Sequence, residues 1–186
     1  MATTTDFRNG FVMKIDGELW MIVEFQHVKP GKGGAFVRTR IKNVKTGRVL
    51  EKTFRSGEKV EDVRLEKKPF QFLYREPDHF TFMNTRTYDQ VAVPDEIVGD
   101  AEHYLKEGMD VEILFNDEEP LGVDIPIFVN LKITKSDPGV RGDTATGVTK
   151  PATLETGFTV QVPLFIEEGE TIRVDTRTGE YMERVK

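Results

Sequence analysis

The sequence predicts an all-β protein built of consecutive small barrels. Short runs alternate apolar and polar residues with a period of two, as half-buried strands do. Turn signals rich in Gly, Asp and Asn separate these runs at short, regular spacing. Signals for helix initiation gather at one place only, around Pro94.

Taken in order, Phe11–Ile15, Asp16-Gly17 and Leu19–Val28 read as a hairpin, because both Asp and Gly tolerate the positive φ of a two-residue turn. Ala35–Val44 alternates: Val37, Thr39 and Ile41 face one way, and Arg38, Arg40 and Lys42 the other. Lys45-Thr46-Gly47 turns the chain into a strand over Arg48–Arg55. Phe70–Tyr74, His79–Met83 and Gln90–Val93 follow as strands. Pro94–Lys106 is the one helix candidate, with Pro94 suited to a first turn, Asp95 and Glu96 suited to the positive end of the dipole, and Gly108 as a stop. Asp110–Phe115 and Leu121–Ile127 are further strands, with Asp117–Pro120 a solvated acidic turn between them. Asn130–Thr134, Phe158–Val162, Thr171–Asp175 and Glu180–Val185 complete the set, and Ser136–Lys150, rich in Gly, Thr and Asp, reads as a loop.

The 186 residues have 38% apolar and 31% charged content, which suits packed domains rather than a disordered chain. With no cysteine, disulfides, thiolate metal sites and cysteine nucleophiles are excluded, and a reducing compartment suits the sequence. The longest apolar run, Leu19–Val23, is far short of a membrane span, and Met1–Gly10 lacks the apolar stretch of a signal peptide. A cytoplasmic protein without membrane attachment is the expectation.

The net charge of −6 is unevenly spread. Residues 1–64 hold 13 basic and 8 acidic residues, 65–128 hold 5 and 15, and 129–186 hold 8 and 9. Lys29–Arg48 contains Lys29, Lys32, Arg38, Arg40, Lys42, Lys45 and Arg48 with no acid. Two readings fit that run: a solvated basic hairpin, or a surface that meets a phosphate backbone.

No residue constellation nominates a reaction. His27, His79 and His103 lie far apart and none has a second ligand at metal spacing. There is no G-x-S-x-G elbow. Gly31-Lys32-Gly33-Gly34 lacks the remaining residues of a Walker A loop and opens a strand rather than a helix. No catalytic residue, metal or cofactor is therefore assigned, and the protein is not expected to be an enzyme. One segment stands apart. Lys29-Pro30-Gly31-Lys32-Gly33-Gly34 falls at a hairpin tip, where Pro30 stiffens the approach and the glycines remove side-chain bulk. It is either a flexible glycine loop with an incidental lysine, or a slim probe that presents one cation, Lys32, to a narrow phosphate-lined space.

Over essentially its whole length the chain resembles the bacterial elongation factor P family. At the front the resemblance is carried by Asp6-Phe7-Arg8-Asn9-Gly10 and Phe25-Gln26-His27-Val28-Lys29-Pro30-Gly31-Lys32-Gly33. At the back it is carried by Gly142-Asp143-Thr144-Ala145, by Lys150–Gly157, by Val160-Gln161-Val162-Pro163 and by Asp175–Tyr181. The family's C-terminal signature is filled in register by Lys150, Ala152, Gly157, Val160, Val162, Pro163 and Gly169.

The resemblance implies three domains: an N-terminal SH3-like (KOW-like) barrel, 1–64, and two OB-type barrels, 65–128 and 129–186. Together these would form an L shape of roughly tRNA size. It implies a factor that binds the 70S ribosome between the peptidyl-tRNA and exit sites and relieves stalling at consecutive prolines. The tip residue reaching the tRNA acceptor end aligns with Lys32, which in this family often carries a covalent modification made by a dedicated enzyme. A loop near the exit-site codon aligns with Gly142, Asp143, Thr144, Ala145, Thr146 and Gly147. Arg38, Arg40 and Lys42 are the candidate contacts to tRNA or rRNA, and a monomer is expected. Two alternatives stand beside this. An elongation factor P-like paralog shares the fold, though one branch carries arginine where Lys32 stands. A generic OB-fold RNA-binding protein would expose stacking aromatics, for which Phe70, Phe72 and Tyr74 are the candidates.

Overall fold

The computed structural model describes residues 1–139 and 148–186. They form two compact units, Met1–Lys67 with Leu114–Gly122, and Lys68–Ile113 with Val123–Lys186. The chain is all-β, in curled sheets of five and six strands.

In the first unit β1 (Ala2–Thr3), β2 (Val12–Ile15), β3 (Glu18–Val28), β4 (Phe36–Asn43), β5 (Val49–Arg55) and β6 (Lys59–Asp62) pair in the order β1-β6-β2-β3-β4-β5. Asp16 and Gly17 have φ of 51° and 83°, so the two-residue turn between β2 and β3 forms as the residue pair predicts. Where β3 meets β4, Ile22 pairs with Ile41 and Glu24 with Arg40. Val23 is thus an extra residue, a bulge that bends the long hairpin. The inward face of the sheet buries Phe7, Phe11, Met13, Trp20, Ile22, Val37, Ile41 and Phe54. The short strands β1 and β6 have no counterpart in the sequence reading. β6 offers one half-buried apolar residue, Val60, so no alternation announces it.

The middle sheet contains β7 (Glu66–Arg75), β8 (His79–Asn84), β9 (Gln90–Pro94), β10 (Asp110–Asn116) and β11 (Glu119–Asp124), ordered β11-β10-β7-β8-β9. Phe72 packs against Phe80 and Phe82 with ring centroids 5.6 and 5.4 Å apart. Here the structure corrects three expectations. The helix over Pro94–Lys106 is a single turn, α1 (Asp95–Val98), followed by a 3-10 turn over Gly99–His103. Gly99, at φ 54°, leaves the helical region and stops propagation. Gly108 is therefore no helix stop, and its amide instead donates to the Phe72 carbonyl. The strand expected over Leu121–Ile127 runs Glu119–Asp124, ending before Pro126, which has no amide to pair. Glu119 and Pro120, expected in a turn, open that strand.

The C-terminal sheet contains β12 (Phe128–Ser136), β13 (Thr149–Leu154), β14 (Thr159–Pro163), β15 (Thr171–Asp175) and β16 (Glu180–Val185), ordered β14-β13-β12-β15-β16. Its core is Leu131, Ile133, Ala152, Leu154, Val160, Val162, Ile166, Ile172 and Val174, with Tyr104 packed on it. His103 stacks on Phe158, centroids 4.4 Å apart and planes 16° apart, and the Thr156 hydroxyl donates to the His103 carbonyl at 2.6 Å. Within the second unit, the short helical segment is thus held by the C-terminal barrel. Ser136, Thr149 and Lys150, expected in a loop, belong to strands.

Candidate nucleic-acid interface

The tip loop is defined by the last pair of the β3–β4 ladder, Val28 with Phe36. Residues 29–35 connect the two strands beyond that pair. Lys29, Pro30, Gly31, Lys32, Gly33 and Gly34 are all exposed. Gly33 sits at φ 110°, a conformation closed to L side chains, and a Cβ there would still find nothing nearer than Pro30 Cγ at 3.9 Å. Steric crowding is therefore not what calls for glycine at this position. The backbone path calls for it, and the bare chain leaves Lys32 as the long side chain between Pro30 and Phe36. Among the described residues neither Lys29 nor Lys32 has a hydrogen-bond or ion-pair partner within the protein.

Below the tip, β4 alternates as its sequence predicts. Val37, Thr39, Ile41 and Asn43 are buried, and Arg38, Arg40 and Lys42 are exposed. Thr39 is satisfied inside by donating its hydroxyl to the Lys52 carbonyl at 2.7 Å. The three cations differ in their surroundings. Arg40 lies opposite Glu24 on β3 and Glu51 on β5, around a hollow of about 230 Å³. Arg38 lies opposite Gln26 and Thr53, and Lys42 opposite Met21 and Val49. Arg38 and Lys42 thus have neutral cross-strand neighbours, whereas the field of Arg40 is offset by two carboxylates. The sequence shows three equivalent cations. The pairing that separates them depends on the Val23 bulge, which nothing in the sequence marks.

The loop Gly142–Gly147 lies outside the described residues. Of the aromatic residues considered for base stacking, Phe70 and Phe72 are buried and Tyr74 is exposed. The histidines do not converge. His27 meets Phe25 edge-on, His79 lies between Glu76 and Asp78, and His103 stacks on Phe158. Among the described residues, no three His, Asp or Glu side chains form a group that could hold a metal, and no helix is long and apolar enough to cross a membrane.

Comparison with known proteins agrees with this arrangement. Three family models match in succession: the elongation factor P KOW-like domain over 3–60, the elongation factor P OB domain over 65–123, and the elongation factor P C-terminal domain over 123–184. The chain is 55% identical over 184 residues to elongation factor P of Acidothermus cellulolyticus, covering 99% of this chain and 98% of that one. It is 54% identical over 185 residues to the same factor of Coprothermobacter proteolyticus, covering 100% of both chains. Among solved structures it is similar to a eukaryotic translation initiation factor 5A from Methanococcus jannaschii, with a TM-score of 0.53 and 25% identity, covering 67% of this chain and 90% of that one.

Proposed function

Since the chain belongs to the elongation factor P family and is a translation elongation factor, we propose that it binds the ribosome beside the peptidyl-tRNA and speeds peptide-bond formation at consecutive prolines. The observation that carries this reading is the tip: a lysine without a partner in the described protein, on bare backbone, at the end of a two-stranded arm. Proline reacts slowly because its ring restricts the chain and disfavours a productive alignment. A body that holds the acceptor end of the peptidyl-tRNA in reactive geometry removes part of the entropic barrier. It needs no proton transfer of its own, so the factor assists the ribosome without being an enzyme.

In this reading Lys32 touches the tRNA end as a point charge on a flexible stem, and a modifying enzyme that lengthens it would extend that reach. Arg38 and Lys42 hold phosphates of tRNA or rRNA, with Arg40 between them. Gly142–Gly147 lie at the exit-site codon. In this reading the three barrels span 1–64, 65–128 and 129–186; the family models cover 3–60, 65–123 and 123–184, so their second limit falls at residue 123, ahead of 128/129. The protein acts as a monomer in the cytoplasm.

The deciding experiment times Pro-Pro-Pro synthesis in a reconstituted translation system, with and without the protein purified from its own host. Acceleration confined to proline-rich messages is expected. Uniform or absent acceleration would return the protein to the paralog or generic RNA-binding reading.

A further inference from the structure

Three hairpins, one in each sheet, close with the same turn. β4 joins β5 through Asn43-Val44-Lys45-Thr46-Gly47, β8 joins β9 through Asn84-Thr85-Arg86-Thr87-Tyr88, and β15 joins β16 through Asp175-Thr176-Arg177-Thr178-Gly179. In each, a side-chain oxygen of the first residue accepts the amide of the third, at 3.0, 2.8 and 2.9 Å. The carbonyl of the first residue accepts the amide of the fifth, at 3.0, 2.9 and 2.8 Å. The hydroxyl of the fourth accepts the amide of the sixth, at 3.4, 3.4 and 3.3 Å.

With the backbone alike, the side chains can be compared position by position. The fifth residue is left-handed in all three turns, at φ 72°, 64° and 74°. Glycine takes that conformation freely in two of them, and the middle turn has Tyr88, whose Cβ makes it costly. Packing gives no reason for the tyrosine. It is 71% exposed, and among the described residues its ring and hydroxyl have no partner. The third residue differs too. Lys45 pairs with Glu119 at 2.7 Å and Arg177 with Asp175 at 2.7 Å. Among the described residues the Arg86 side chain, also exposed, has no partner. The middle turn thus holds an uncommitted ring and an uncommitted guanidinium on a tightly bonded tip.

What surrounds the tip says what it fits. Thr85, whose amide donates to the Pro69 carbonyl at 3.2 Å, also lines a hollow of about 610 Å³. Phe70, Val111 and Ile125 give that hollow apolar walls, and the exposed Asp110 and Glu112 give it acids. Both signs of charge therefore stand side by side. RNA carries one sign, so it would be drawn to Arg86 and repelled by the acids and by the acidic excess of residues 65–128. A protein surface carries both signs, and Tyr and Arg are residue types that dominate the energy of protein interfaces. We propose that the turn from Asn84 to Asp89, anchored by Tyr88, docks a protein surface of mixed charge. That surface sets a carboxylate or carbonyl on Arg86 and a cation beside Asp110 and Glu112. The inference rests on the ribosome-binding reading, under which the partner is a ribosomal protein.

The test uses the full-length protein and programmed 70S ribosomes from its own host, with thermal melting and ribosome affinity measured together. Tyr88→Gly gives the middle turn the residue its two counterparts have. It should melt at the wild-type temperature or up to about 3 °C above it, while its ribosome affinity falls about tenfold. Arg86→Ala should lose about threefold. Wild-type affinity in either variant overturns the inference. So does a clearly lower melting temperature in Tyr88→Gly, which would mean that the ring packs on its own protein. A benzophenone-bearing residue in place of Tyr88 then identifies the partner by photo-crosslinking. Adducts chiefly on ribosomal proteins support the inference. Adducts chiefly on RNA overturn it, as does the absence of adducts when the same probe in place of Lys32 yields them. If the wild-type protein itself does not bind ribosomes, the functional reading falls and the inference falls with it. That result is distinct from failure of the Tyr88 and Arg86 variants alone.

Discussion

Lys32 has neighbours that can do little besides present it. Pro30 limits the approach and the three nearby glycines bring no side chain, so between Pro30 and Gly34 the Lys32 ammonium is the chemical group the tip has to offer. Lys32→Ala should therefore leave the melting temperature unchanged within about 1 °C, since an exposed side chain with no contacts stabilises nothing. The same variant should lose most acceleration on Pro-Pro messages in the reconstituted assay. Retention of full activity would remove the tip from the mechanism. On the face below, charge neighbours set the expectation. Arg38→Ala and Lys42→Ala should each lower the slope of log affinity against log salt by about 0.7 to 0.9, one phosphate's worth. Glu51→Gln should tighten binding, because it uncovers Arg40. An unchanged slope in both cation variants would exclude phosphate contact by this face.

At the scale of elements, the β7–β8 hairpin carries its own pH dependence. His79 places Nδ1 2.7 Å from Asp78 Oδ1 and Nε2 2.5 Å from Glu76 Oε2, so both ring nitrogens meet carboxylates. The hydrogen bond with Asp78 raises the His79 pKa foremost, against some desolvation and with help from Glu76. The same bond lowers the Asp78 pKa. The histidine's stabilisation is complete below its ordinary value near 6.5 and fades as pH climbs through the raised folded value. That of Asp78 fades as pH falls through its lowered one. The hairpin should thus be most protected between about pH 4 and 6.5, and His79→Gln should flatten the alkaline side. Amide exchange of residues 76–81 against pH measures both. Elements of this kind were largely legible in the sequence: the faces of β4, the Asp16-Gly17 turn and most strand limits follow from period two and turn chemistry. What hid were elements whose pattern is broken by a purpose other than packing. β13 places a charged residue where alternation asks for an apolar one, and α1 ends at a glycine inside an otherwise helical stretch.

For the whole molecule, charge distribution is the property that composition conceals. The first 64 residues carry an excess of five basic residues and the next 64 an excess of ten acidic ones, within a chain of net charge −6. Such a protein meets a polyanion with one part and is repelled through another, which favours few orientations over many. Neutralising exposed acids outside any proposed site, as in Glu96→Gln with Glu118→Gln, should raise affinity for bare single-stranded RNA a few-fold at low salt. The effect should vanish at high salt. No change at low salt would show that the acidic stretch has no screening role. The candidate site was readable as a position, a lysine at a hairpin tip. Its inequality of cations was not, because cross-strand partners are a property of pairing rather than of one strand.

The bulge at Val23 also makes the arm a ruler with coarse graduations. Beyond it, Glu24 to Val28 pair with Arg40 to Phe36 without interruption. Inserting or deleting a single residue on either strand there would turn every following side chain to the opposite face and bring the buried Val37 into water. The arm can change length only by two residues on both strands together, a step of about 6.8 Å. A tip that falls short of its target by less than one such step cannot be corrected by backbone and must be corrected by lengthening the side chain at its end.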